Sequence, residues 1–325
     1  MQVSPSVRAV QIPETNPMHP QFTTIYLVGR GQVLTIDSGD DAERYRWMLR
    51  GYLAATEKAE IGQSAVTHFH NDHSANLRWL HDEFGAELQV PRATAPFLRD
   101  RLPENGVKLL DDGDELSPGG GVRLRVVHTP GHSADSVCFY LEDEGVLFTG
   151  DTILGASTTM VSDLAGYIES LRRLRSLPNL SVIGPGHGPL ITEPAAYIDE
   201  YIAHREERDR QIVMAMEAAG TALTSWQIME RLYVGLDPRL FRMADANVRA
   251  HLVKLEKEGR LRLHAGRRRR HSPDELTEAQ AEERARREII RKADEYREQM
   301  RRRFLFQQEN PPSEEWEEPP RYELL

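Results

Sequence analysis

Cysteine is almost absent: Cys138 is the only one in 325 residues. A lone cysteine excludes an internal disulfide. Its setting in SVCFYL predicts a buried strand position in a protein of a reducing compartment. Aromatic residues are scarce, at 7%. No apolar run approaches the ~18 residues of a membrane span. The opening MQVSPSVRAVQIPETNP lacks the basic and apolar regions of a secretory signal. An excess of positive charge is also lacking. The formal net charge of −10 excludes whole-surface attraction to nucleic acid or anionic lipid, though not a local basic groove. These absences predict a soluble, cytoplasmic protein without membrane contact. Its 39% apolar content supports a sizeable core. A chain of 325 residues predicts one large domain and a smaller one.

From about residue 22 to 200, short apolar runs alternate with helical patterns. TTIYLV and QVLTID read as strands joined at Gly29–Gly31, and DDAERYRWMLRGYLAAT reads as a helix. QSAVTH reads as a buried strand. SANLRWLHDEF reads as a helix capped by Ser74 and ended by Gly85. SVCFYLEDEGVLFTGD reads as a hairpin. DLAGYIESLRRLRSL carries Leu164, Ile168, Leu171 and Leu174 on one stripe. The style changes near residue 200. Three helical segments and RLRLHAG, a short strand, are the ingredients of a winged helix. The chain therefore divides into domains over 1–200 and 201–266 and a tail over 267–325. In the tail, residues 274–305 read as a charged, solvated helix, a candidate for self-association into a homo-oligomer. The proline-rich, acidic QENPPSEEWEEPPRYELL reads as disordered.

Chemistry gathers where strands end. THFHNDH places His68, His70, Asp72 and His73 within six residues. TPGHS adds His132, FTGDT adds Asp151 and GPGHGP adds His187. Imidazole and carboxylate are the ligand types for zinc and related first-row metals. The last three each follow a predicted strand and sit beside glycine, which lets backbone approach a crowded centre. A single histidine pair is more often a hydrogen-bonded polar loop. Seven such residues in four strand-end loops are not explained that way.

The motifs THFHNDH, TPGHS, TGD and GPGHG, in this order, resemble the metallo-β-lactamase superfamily. GDTILGASTTMVSDLAGYIESLRRL with GPGHGPLI and a winged-helix-like segment further resembles the β-lactamase-like protein 2 family, over about residues 5–265. The resemblance implies an α+β fold, a four-layer αββα sandwich, followed by the winged helix and the charged tail. It implies that His68, His70 and His132 hold one metal. Asp72, His73 and His187 would hold a second, and Asp151 would bridge them. Two zinc ions are expected, with manganese or iron as alternatives. A bridging hydroxide would be the nucleophile, with Asp151 orienting the water and Asp72 as a proton shuttle. Asp37, Ser38 and Gly39 would support the ligands. Family members include an endoribonuclease acting on single-stranded RNA and thioesterases acting on acyl carrier protein. Phe69 stands where the family usually has Trp, and SAN at 74–76 replaces a common SGG, so the pocket wall departs from the pattern.

Three function classes compete. A dizinc hydrolase is the first, with single-stranded RNA phosphodiesters as the leading substrate and a small acyl thioester as the alternative. The RNA reading rests on Arg249, His251, Lys254 and Lys257, which offer a basic helix face, and on Arg267–Arg270. Interleaved Glu256 and Glu258 favour an ordinary solvated helix instead. An iron-dependent oxidoreductase, such as a persulfide dioxygenase, is the second class. A nucleic-acid-binding protein with a structural metal is the third, opposed by the lack of cysteine ligands. His128 reads as polar support rather than a ligand. His19, His81, His204, His264 and His271 read as surface residues. Thr158 and Thr159 read as either pocket-lining or capping residues.

Overall fold

The computed structural model describes residues 1–13, 22–56, 59–268 and 316–325. They form two compact units, Met1–His204 and Arg205–Leu325.

Two sheets build the first unit. One has seven strands in sequence order: Gln2–Ser4, Val7–Pro13, Phe22–Val28, Gln32–Ile36, Glu60–Ala65, Glu87–Pro91 and Val107–Leu110. Its first three pairings are antiparallel and its last three parallel. The other has five, in the order Val182–Pro185, Val146–Gly150, Val137–Leu141, Leu124–His128 and Glu115–Leu116. Strand side chains alternate between faces. Ala9, Tyr26, Val28 and Leu34 therefore pack inward against Val126, Phe139 and Phe148 of the second sheet. Val10, Ile25, Leu27 and Val33 pack outward with Tyr45 and Leu49 of the helix Glu43–Ala55 and Leu80 of the helix Leu77–Phe84. The helix Leu164–Arg175 buries the expected leucine and isoleucine stripe, with Tyr167 added. The Tyr167 hydroxyl donates to the Thr152 carbonyl, tying that helix to the loop after Val146–Gly150. This is the αββα sandwich.

Three local readings change. Ser74 is not a helix cap. It lies in a short helical turn, Asn71–Ser74, and its hydroxyl bonds the carbonyls of Phe69 and His70. The strand expected through His68 ends at Ala65, so the histidine motif is wholly loop and turn. His81 is half-buried rather than a surface residue. Its Nδ1 lies 3.0 Å from the Ala86 carbonyl.

The second unit contains the helices Ser225–Leu232 and Phe241–Lys257 and the strand Leu261–His264. Thr224 caps the first of these in a reciprocal box with Gln227. Val248, Leu252 and Leu255 pack inward, as the pattern requires. The basic face does not form as expected. His251 is 1% exposed and its Nδ1 is 2.6 Å from Asp209. Lys254 lies 2.7 Å from both Asp209 and Glu258, and Arg249 lies 3.1 Å from Asp245. The α-helical period turns His251 and Lys254 towards the acidic Asp209 on the helix Pro194–Ala219. Arg267 pairs with Glu317 and Glu318.

The disordered reading fails for residues 316–325. Trp316–Glu318 and Arg321–Leu324 are strands, and the latter pairs with Leu261–His264 to complete the wing. Tyr322 and Leu324 alternate inward onto the core, a pattern that the average acidity of the segment conceals. The charged helix expected at 274–305, the residues Arg269 and Arg270, and His19 and His271 lie outside the described residues. Among the described residues no helix is long and apolar enough to cross a membrane.

Candidate metal centre

All seven sequence-predicted ligands converge in two sets. His68, His70, His132 and Asp151 form one; Asp72, His73 and His187 form the other. Within each set the donor atoms lie within 4.8 Å of one another. In the first set His70 Nδ1 is 2.8 Å from His68 Nε2 and 3.0 Å from His132 Nε2. In the second, His187 Nε2 is 3.3 Å from His73 Nε2 and 3.0 Å from Asp72 Oδ2. A tetrahedral metal with bonds near 2.05 Å has ligand edges of about 3.3 Å. Asp151 faces both sets. Its Oδ2 is 3.6 Å from His132 Nε2, and its Oδ1 is 3.2 Å from His73 Nε2 and 3.4 Å from His187 Nε2.

The outer nitrogens decide what the inner ones can do. Thr67 has one hydroxyl proton, donated to Asp37. It therefore accepts from His68 Nδ1, at 3.0 Å. Asp37 Oδ2 accepts from His73 Nδ1 at 2.7 Å, and the Met160 carbonyl accepts from His132 Nδ1 at 2.8 Å. These bonds place the proton on Nδ1 and leave a lone pair on each inner Nε2. Lone pairs crowded at such distances repel unless a cation lies among them. The electrostatics show a demand for positive charge at this point. Burial alone would lower the His73 pKa, but Asp151, Asp37 and Asp72 raise it well above the usual range, so a cation bound there would take the place of a second proton on the inner nitrogen. Burial would raise Asp151, but His73 and His187 hold it well below the carboxylate range. Burial also depresses His68 and His70, which keeps them neutral and ready to ligate. The donor set fits a pair of cations.

Close backbone approach makes this packing feasible. A Cβ at Gly150 would lie 2.4 Å from Thr67 Oγ1, and one at Gly186 would lie 2.5 Å from His73 Cε1. Asp37 adopts φ of 63° without being glycine. That left-handed conformation carries strain, offset by its bonds to the Thr67 amide, the Thr67 hydroxyl and His73. Asp37→Asn would present an amide donor to groups that already donate. It is expected to weaken metal binding by about 10–100-fold, read by chelator competition, because Asp37 orients His73 directly and His68 through Thr67.

Other expectations sort cleanly. Thr159 is buried, with Oγ1 2.9 Å from His132 Nδ1, whereas Thr158 is exposed. His128 Nε2 lies 3.3 Å from the Ala134 carbonyl and belongs to neither donor set. Sequence reasoning missed Thr23, whose Oγ1 is 3.1 Å from His187 Nδ1. It also missed Asp135, whose buried carboxylate accepts from the Phe69 amide at 3.0 Å. Neither has a motif signal, because each partner is far away in the chain.

The sequence profile of the metallo-beta-lactamase superfamily matches residues 19–187, more than half of the 325. The chain belongs to the metallo-β-lactamase superfamily. A beta-lactamase associated winged helix domain matches residues 224–268. Two relatives named Beta-lactamase-like protein 2 homolog place this superfamily member in that family. The one from Drosophila melanogaster is 36% identical over 75% of this chain and 85% of its own length. The one from Caenorhabditis elegans is 34% identical over 75% and 81%. An atrochrysone carboxyl ACP thioesterase from Aspergillus fumigatus is 37% identical over 65% of this chain and 66% of its own. A beta-lactamase domain protein from Burkholderia ambifaria shares the fold, with a TM-score of 0.71 over 82% of this chain and 90% of that one, at 23% identity. The metallo-β-lactamase fold and these relatives identify the chain as an enzyme of the metallohydrolase type.

Proposed function

We propose that this enzyme is a dinuclear zinc hydrolase whose substrate is an acyl thioester. The observation that carries the reading is Asp151, whose two oxygens face different donor sets. His68, His70 and His132 would hold the first ion and Asp72, His73 and His187 the second, with Asp151 placed to serve both. Two such ions acidify water and stabilise a developing oxyanion. Asp151, fixed between His73 and His187, orients the attacking water. Asp72 keeps partial contact with solvent, and although burial would raise its carboxyl, His73 and His187 hold it well below the carboxylate range, which suits a ligand rather than the proton shuttle expected from the sequence. A cysteine nucleophile is opposed by the burial of Cys138, which pushes its thiol up to about 12.

Two observations favour the thioester over RNA. The thioesterase relative supports acyl chemistry. The residues that suggested phosphate contacts, His251, Lys254 and Arg249, are paired with carboxylates. RNA phosphodiester cleavage is the second reading, supported by the winged-helix match. Both substrates are offered to the zinc-loaded enzyme in one metal-defined buffer. Thioester turnover with intact end-labelled single-stranded RNA is expected. RNA cut while every thioester survives would reverse the order. Activity confined to iron-loaded protein, with oxygen consumed, would move the enzyme to the oxidoreductases.

A further inference from the structure

We infer that Phe69 and Phe97 form a subsite for an apolar, preferably aryl, acyl group of the thioester, an assignment that rests on the hydrolase reading above. Phe69 lies between two ligands in the chain, and its ring centroid is 4.6 Å from that of His70. Phe97 stacks on Phe69, at 4.8 Å and 26°. Phe97 is nevertheless 59% exposed. The two rings thus form a continuous aromatic ledge from a metal ligand to solvent.

The ledge is built rigidly. The Phe69 amide donates to the buried carboxylate of Asp135 at 3.0 Å. The Phe69 carbonyl accepts from the Arg101 guanidinium at 3.1 Å and from the Ser74 hydroxyl at 2.8 Å. Both sides of one residue's backbone are therefore clamped by groups from distant segments. A phenyl ring on a fixed backbone loses little entropy when a ligand packs on it. The stack leaves much of the Phe97 ring open beside a residue that lies between two ligand-type histidines.

The occupant follows from the chemistry. In hydrolysis, water adds to the thioester carbonyl and the C–S bond breaks. The thiol leaves with a proton, and the carboxylate remains. With the carbonyl at the donor cluster, the acyl substituent is the part of the substrate that extends along a neighbouring wall. Phenyl faces favour a flat apolar group by area and by ring geometry.

The test compares acetyl and benzoyl thioesters of N-acetylcysteamine on the zinc-loaded full chain. Wild type is expected to favour benzoyl over acetyl by about tenfold or more in kcat/KM. Phe97→Ala should reduce that ratio about tenfold, mainly through KM, and Phe97→Trp should restore it. Trp47→Ala, at an equally exposed ring elsewhere, should leave the ratio as in wild type. A wild-type ratio near one, or a ratio indifferent to Phe97→Ala, overturns the ledge while leaving the hydrolase reading intact. Failure to turn over either thioester overturns the ledge and the thioester reading together, and leaves RNA as the remaining hydrolase substrate. If RNA is cleaved instead and Phe97→Ala weakens that cleavage, the ledge stacks bases and the acyl assignment is wrong.

Discussion

Asp151→Ala is expected to lower hydrolysis by about 10³-fold or more and to lower metal affinity at both positions. Each donor set contains three groups besides Asp151. A set reduced to three ligands can still retain an ion weakly. What disappears is the anion that holds two like-charged ions side by side. Their mutual repulsion at ~4 Å is large in a buried site, so the second ion should be lost more readily than the first. His73 offers a contrast. His73→Ala weakens one set and leaves Asp37 without one of its partners, yet it leaves the other set with all four of its donors. Its single remaining ion should persist at chelator concentrations that strip Asp151→Ala completely. Chelator competition on both variants, alongside thioester turnover, checks the order. Equal retention in the two variants would show that Asp151 does not bridge.

Tyr322→Ala is expected to destabilise the second unit by about 3 kcal/mol, in the range for large aromatic truncations in a core. Tyr322 is 6% exposed and packs in the cluster with Trp226, Leu252 and Leu261. Its backbone also pairs with Leu223, through Leu223 N–H to Tyr322 O at 3.0 Å and the reverse bond at 2.8 Å. Deleting 316–325 removes this side chain and the strand partner of Leu261–His264 together. The deletion should therefore cost more than the point substitution. Urea unfolding of the full chain should show an early transition in both variants. A single transition at the wild-type midpoint would mean that the terminal strand contributes nothing to the unit.

The centre was legible where chemistry is contiguous or marked by glycine. THFHNDH, TPGHS, TGD and GPGHG carry their meaning within a few residues, and Gly150 and Gly186 stand where a Cβ would collide. Among supporting residues, Asp37 was legible through the family resemblance of TIDSG, not through its place beside a ligand, since it meets His73 across 36 residues. Asp135 and Thr23 were invisible because they serve Phe69 and His187 across 66 and 164 residues. The strands Val7–Pro13 and Glu87–Pro91 went unread although Pro5 and Pro13 bound the first and Gly85 and Pro91 bound the second. In the winged unit the helix Phe241–Lys257 offered a basic face that its interleaved glutamates already argued against, and Asp209 on another helix, invisible in that local pattern, claims His251 and Lys254. The acidic composition of the C-terminal segment likewise hid the inward alternation of Tyr322 and Leu324. Composition averages over faces, whereas packing selects one.

The most direct test of the paired donor sets is an equilibrium titration of the metal-free chain with zinc, read as ions bound per chain. The account predicts two ions for the wild type and a second ion weakened most by Asp151→Ala. One ion at saturation, with the same affinity in wild type and Asp151→Ala, would contradict it.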